Sequence, residues 1–237
     1  MNFSIEAHGL IRTFGGIPVV DDISFQLVPG EFLSVFGPNG SGKTVLLRML
    51  AGTLKPTAGS VSVAGNVTDK DKCKWRHKVG FVSHQSLLYG QLSVEENLYF
   101  YGRLFGLRDL HERIPERIAQ AGLTDRTSTP VRNLSRGLKQ RVALIRALLH
   151  DPEVVLLDEP YAGLDAHASA VLRDQLASLK SDRRTVVLVT HNLGQGLEIA
   201  DRIAIQFRGQ FTEIDNIEKL ETESFERFYR NTVEAVE

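Results

Sequence analysis

GPNGSGKT, residues 37–44, stands between the apolar run FLSVF (32–36) and the helix-compatible run VLLRMLAG (45–52). It fits the spacing G-x-x-x-x-G-K-[ST]. Gly37, Gly40 and Gly42 let successive backbone N–H groups turn inward around a phosphate chain. A helix opening at the end of the loop adds unpaired donors and the positive end of its dipole. Lys43 is set to reach the β- and γ-phosphates, and the Thr44 hydroxyl to bind Mg²⁺. Pro38, Asn39, Ser41 and the following Val45 complete the nucleotide-holding segment. A glycine-rich turn alone carries little information. A strand, this loop and a helix in that order are the context the chemistry requires.

A second run supplies acid groups. VVLLDE (154–159) puts Asp158 and Glu159 directly after four apolar residues. In open α/β folds, ligands gather at the carboxyl ends of strands. Asp158 is then suited to hold Mg²⁺ through its water shell, and Glu159 to polarise a water for attack on the γ-phosphate. Adjacent acids after a strand are also ordinary loop residues, and the cradle is what gives these two a task.

Working outward, residues 1–36 read as short strands broken at Pro29-Gly30, SVSVAG (60–65) as another, and VGFVS (79–83) as a third. From Leu87 to about 150 the pattern is helical. Buried-strand runs follow at VVLL (154–157), TVVLVT (185–190) and RIAIQF (202–207), with the helix pattern AHASAVLRDQLASLK between the first two. Strands alternating with helices predict an α/β fold with a mainly parallel sheet. The block at about 87–150 reads as a helical insertion between two of its strands. One domain is expected over 1–215, with 216–237 a charged helix or tail, since TEIDNIEKLETESFERFYRNTVEAVE (212–237) is charge-rich and weakly amphipathic.

Composition narrows the function. Among 237 residues, 28 are Lys or Arg and 29 Asp or Glu, so no basic field favours nucleic acid as a partner. The single cysteine, Cys73, allows no intrachain disulfide and suits a reducing compartment. No basic segment followed by an apolar one resembles a signal peptide at the N-terminus. No apolar run approaches the ~18 residues of a membrane span, so work at a membrane calls for other chains. Trp75, His77, His84 and His111 show no ligand spacing and read as structural or surface residues.

One stretch is unexplained by this reading. LSRGLKQR (134–141) opens an apolar helix pattern with capping residues, yet nothing nearby resembles an anion for that helix end to hold. Here the sequence resembles the ATP-binding subunits of ABC transporters over about residues 3–212. The motifs come in that family's order: the loop 37–44, Gln85 after VGFVSH, LSRGLKQR as the signature usually written LSGGQ, VVLLDEP, AGLD (162–165), and His191 in LVTHN. Phe14 falls where the family stacks an aromatic on adenine.

The resemblance implies a P-loop NTPase core with a mainly parallel sheet, an antiparallel β subdomain and an inserted α-helical subdomain. It implies ATP and Mg²⁺, with Gln85 a Mg²⁺ ligand and coupling hinge, and His191 a γ-phosphate contact. It also answers the signature helix. Two such subunits pair head to tail, and Ser135 and Gly137 of each donate to the γ-phosphate held by the other, so the second subunit is expected to be another copy. Arg136 and Leu138 replace the usual Gly and Gln, which reads as a subfamily variant because Glu159 and His191 are both present. Arg136 either adds charge near the phosphates or points to solvent. Asp165 is expected to cap the following helix.

The remaining expectations concern partners and cargo. The implied partners are integral-membrane permease subunits, reached from the cytoplasmic face of the inner membrane. Residues 85–105 are expected to form a groove for a helix of such a partner, with Leu88 and Tyr89 lining it. SHQ, LLY, ENL and FYGRLFG within 83–106 resemble the haem exporter ATP-binding subunit of c-type cytochrome maturation. The alternative is a drug, lipid or polysaccharide exporter. A small-molecule kinase would need neither the signature nor AGLD. A soluble switch ATPase of this family needs two such domains or a long coiled coil, which 237 residues do not hold.

Overall fold

The computed structural model describes residues 3–68 and 74–217, with Phe225, Arg227 and Tyr229; Cys73 and nearly all of the expected tail at 216–237 lie outside them. Two sheets carry the fold. One is antiparallel, in the order β2-β1-β4-β5, built from β1 (Ile5–Phe14), β2 (Ile17–Leu27), β4 (Ala58–Val63) and β5 (Asn66–Val67). The other has six strands in the order β10-β9-β3-β8-β7-β6, from β3 (Phe32–Phe36), β6 (Val79–Val82), β7 (Val154–Asp158), β8 (Thr185–Thr190), β9 (Arg202–Phe207) and β10 (Gln210–Asn216). Its five strands from β9 to β6 run parallel.

The parallel strands read as continuous apolar runs because both of their faces are covered. Every residue of β3, β7 and β8 is buried. One face packs with α1 (Lys43–Leu50) against the antiparallel sheet through Leu33, Val35, Leu46, Met49 and Val187. The opposite face packs on α4 (Arg136–Leu148) and α5 (Ala166–Ser181) through Val155, Leu157, Leu144, Leu172 and Leu176.

The helical insertion lies between β6 and β7 and has a core of its own. Val94 and Leu98 of α2 (Val94–Leu104), Ile114 and Ile118 of α3 (Leu110–Gln120), and Val142 and Ile145 of α4 form it. α2 starts where a capping box fixes it: the Ser93 hydroxyl accepts from Glu96 N–H, and the Glu96 carboxylate accepts from Ser93 N–H at 2.7 Å. Helix α4 serves both cores, so its N-terminal signature is held by two packed faces.

Two departures from the expected elements have plain causes. The first strands are long, not short, because β1 and β2 pair along 10 and 11 residues with bulges that absorb their polar interruptions. Thr212–Asn216, expected in the charged tail, instead pairs antiparallel with β9 as part of β10. Their polar composition suits an edge strand. A short helix, α6 (Leu193–Leu197), also had no periodic signal.

His150 is structural, and His77, read as structural or surface, is exposed with its ring edge-on to Phe105 at 5.9 Å. The His150 ring lies flat on Phe105, with centroids 4.0 Å apart, and its Nε2–H donates to the Val79 carbonyl at 3.0 Å. Burial lowers its pKa to about 4, against the opposing pull of that carbonyl. An unfolded chain protonates His150 near 6.5 and so binds more protons than the folded one between 6.5 and about 4. Stability contributed by neutral His150 is therefore expected to be full above pH 6.5 and to be lost as pH falls toward 4. Thermal melts across that window check it: a His150→Phe variant should show a shallower acid slope, and an unchanged slope would place the effect elsewhere.

Candidate active site

The glycine loop follows β3 without a break, because all five residues of that strand are locked in the sheet. Two glycines are required by contact. A Cβ on Gly37 would fall 2.2 Å from the Gln206 carbonyl oxygen, and one on Gly42, at φ +101°, would fall 2.3 Å from that of Val19. The loop is thus pressed against β9 and β2, and it borders a cleft of about 460 Å³. Asn39, Gly40, Gly42, Lys43, Thr44 and Val45 line one side of it, and Asp158, Glu159 and His191 the other.

Parallel pairing of β3 with β8 and of β8 with β7 sets the strand ends side by side. Thr44 Oγ1 donates to Asp158 Oδ1 at 3.0 Å, joining the start of α1 to the end of β7. Asp158 is almost fully buried, and its Oδ2 has no hydrogen-bond partner. Desolvation raises its pKa, and the bonds from Thr44 and from the His84 backbone oppose that rise. Lys43 Nζ donates to the carbonyls of Gly37 and Pro38 at 2.8 and 3.0 Å. Desolvation lowers the Lys43 pKa, while Glu159 and Asp158 pull it back up. The cleft therefore holds one buried cation against two carboxylates.

Glu159 takes the left-handed conformation, φ +48°, which costs on the order of 1–3 kcal/mol for such a residue and persists where the surroundings fix it. Its Oε1 lies 3.0 Å from His191 Nδ1, and its Oε2 accepts from Thr190 Oγ1 at 3.1 Å. The ends of β7 and β8 thus hold one carboxylate in the cleft that Lys43 also lines. Hard oxygen donors at Thr44 and Asp158, the unpartnered Asp158 Oδ2, and a loop with no room for side chains at Gly37 and Gly42 fit a Mg²⁺-bound phosphate chain.

The other expected site residues lie outside this cleft. Phe14 ends β1, is 46% exposed, and carries the Arg12 guanidinium 4.7 Å from its ring. Gln85 is exposed, with its N–H donating to Ser83 Oγ; its neighbour His84 lines the cleft instead. His84, read as structural or surface, is exposed and lines the rim of the cleft because the end of β6 lies beside β7. Ser135 caps α4 through Leu138 N–H, and neither it nor Gly137 lines the cleft. Arg136 is exposed and does not line the cleft of its own chain, and its guanidinium lies on Gly163 of AGLD, 2.5 Å from where a Cβ there would stand. Asp165 caps α5 through Ala168 N–H at 2.7 Å, as expected. Thr190 and Val19 were missed. The one available signal was the hydroxyl that precedes His191 at the end of an apolar strand.

A strand, a glycine loop and a helix, facing paired carboxylates at a neighbouring strand end, define a P-loop NTPase. Comparison with known proteins narrows the class. The family model described as ABC transporter matches residues 20–162. The Nod factor export ATP-binding protein I of Rhizobium johnstonii is 36% identical over 209 residues, covering 87% of this chain and 67% of that one. The ABC transporter ATP-binding protein NatA of Bacillus subtilis is 32% identical, over 82% and 80% of the two chains. Among solved structures, the post-hydrolysis dimer of the ATP-binding cassette MJ0796 bound to ADP and Pi superposes with a TM-score of 0.82 at 28% identity, over 90% of this chain and 98% of that one. The chain belongs to the ABC transporter family, as an ATP-binding subunit with the cassette fold.

Proposed function

We propose that this chain hydrolyses ATP as one half of a head-to-tail pair and powers export through separate integral-membrane subunits. The observation that carries the reading is Glu159, held by Thr190 and His191 beside Lys43 and facing the glycine loop. Glu159 orients and polarises the attacking water. The Lys43 amine and the loop N–H groups hold negative charge on the phosphate chain; Thr44 and Asp158, with Gln85 turned in from outside the cleft, would hold Mg²⁺, which would supply further charge neutralisation. Phe14 stacks on the base. The α4 N-terminus, with the Ser135 hydroxyl and Gly137 N–H, does not line the cleft of its own chain, which supports a role toward a second copy's nucleotide. The dimer of the similar cassette MJ0796 supports the same pairing. Release of ADP and phosphate, with no phosphorylated acceptor, tests the reaction against a kinase.

The membrane-facing surface is read from the insertion. Tyr89, Phe100 and Leu104 are 50%, 41% and 69% exposed, and the Tyr89 and Phe100 rings meet at 4.9 Å. The loop that carries Tyr89 is fixed by buried Asn97, whose amide bonds Tyr89 N–H and the Tyr89, Leu92 and Ser93 carbonyls. This rigid apolar ledge suits a partner helix. Leu88, also expected to line it, is instead packed against two cores, so a charge there tests the fold and not the ledge. Tyr89→Glu with Leu104→Glu is expected to reduce cargo export at least tenfold while basal ATP hydrolysis stays within about twofold. Unchanged export would remove the ledge from the partner interface. Described residues include no helix long and apolar enough to cross a membrane, and docking at the cytoplasmic face is part of the proposal.

For the cargo, residues 83–106 support haem export during c-type cytochrome maturation. Similarity to the Nod factor export ATP-binding protein of Rhizobium johnstonii favours a second reading, export of another molecule. Detergent pull-down of the Glu159→Gln chain from its native membrane separates them. Co-purified cytochrome-maturation proteins with haem absorbance support the first, and other permease subunits the second.

A further inference from the structure

Gln206 is the polar interruption of β9, RIAIQF, and is fully buried. Neither its Oε1 nor its Nε2 has a hydrogen-bond partner. Burying an amide unbonded is costly, and an apolar side chain of similar size would serve the strand better. The position explains what such an amide is near. β9 pairs with β3 up to Phe36 opposite Ile205, so Gln206 is level with Gly37, the first residue of the loop. Its carbonyl oxygen limits Gly37 and its Nε2 limits Gly42, standing 2.2 Å and 2.8 Å from where Cβ atoms on those glycines would be. One residue therefore touches the loop at both ends, by its backbone at Gly37 and by its side-chain amide at Gly42. Ser41 Oγ, within the loop, is a second buried polar atom without a partner.

The loop's own bonds show when that amide is needed. Lys43 Nζ satisfies the Gly37 and Pro38 carbonyls. A Lys43 amine turned to a phosphate gives those carbonyls up, and buried carbonyls need donors. We propose that Gln206 is a positioning residue of the phosphate loop, its buried amide donating to the loop backbone in the nucleotide-bound arrangement when Lys43 turns away. The inference rests on the nucleotide reading above, and its test separates the two.

Gln206→Met removes both polar atoms at nearly constant volume, and Gln206→Leu repeats the test with a different shape. Two quantities are measured on each chain: the melting temperature without nucleotide, and the dissociation constant for MgADP by calorimetry. The expected result is a melting temperature equal to wild type or raised by about 2–6 °C, together with MgADP affinity weakened by about 3–10-fold. Unchanged affinity in both variants overturns the proposal, whatever the melting temperature does. Weaker affinity with a lowered melting temperature also overturns it, because the amide is then a structural partner. A wild-type chain that fails to bind MgADP removes the nucleotide reading itself and not this residue's part in it.

Discussion

Glu159→Gln is expected to slow ATP hydrolysis by about 10²–10⁴-fold while leaving ATP bound, the range that a positioned general base contributes. The substitution keeps the shape of the side chain and an oxygen to accept from Thr190 Oγ1, so the left-handed backbone at Glu159 and the contact with His191 have no steric reason to change. What it removes is the negative charge that pulls a proton from water. Phosphoryl transfer depends on placement and electrostatics, so losing the group that orients the nucleophile shows in turnover before it shows in binding. Single-turnover phosphate release measures it. A rate within about threefold of wild type would mean that another group orients the water.

Lys43→Ala is expected to weaken MgATP binding by about 10–100-fold, the effect of deleting a charged hydrogen-bond donor from a phosphate site. The amine is the one buried cation lining the cleft among the described residues, and it offsets Asp158 and Glu159. Without it, those carboxylates face the phosphates with no countercharge from the loop. The Gly37 and Pro38 carbonyls also lose their donor, so some loosening of the loop adds to the loss. Titration with a fluorescent ATP analogue checks the affinity, and Lys43→Arg tests whether charge alone restores it. Equal affinity in Lys43→Ala and wild type would rule out this loop as the phosphate cradle.

The parts of the fold that were legible in sequence are those with uninterrupted local signals. FLSVF, VVLLD and TVVLVT read as strands because both faces of a parallel sheet are covered, and apolar runs result. The helical pattern from Leu87 onward was legible too, although α2 itself starts only where Ser93 and Glu96 cap it. β10 was not legible, because an edge strand of polar composition looks like a charged tail until β9 is beside it. Within the site, Lys43, Thr44, Asp158, Glu159 and His191 were legible as separate motifs. Their meeting depends on the order of β6, β7, β8 and β3, which no local pattern encodes. Thr190 and Gln206 act through contacts between distant strands, so residue type alone gave little sign of them. Leu88 shows the same limit in reverse: its neighbours in sequence are exposed, while its side chain is turned into two cores.

The central claim is that each cleft is completed by the signature helix of a second copy. Light scattering on the Glu159→Gln chain, with and without MgATP, tests it most directly. The mass is predicted to rise from that of one 26.4 kDa chain to twice that value when MgATP is added, and to stay at one chain when Ser135 is also replaced by a bulky residue. A single-chain mass at saturating MgATP would contradict it.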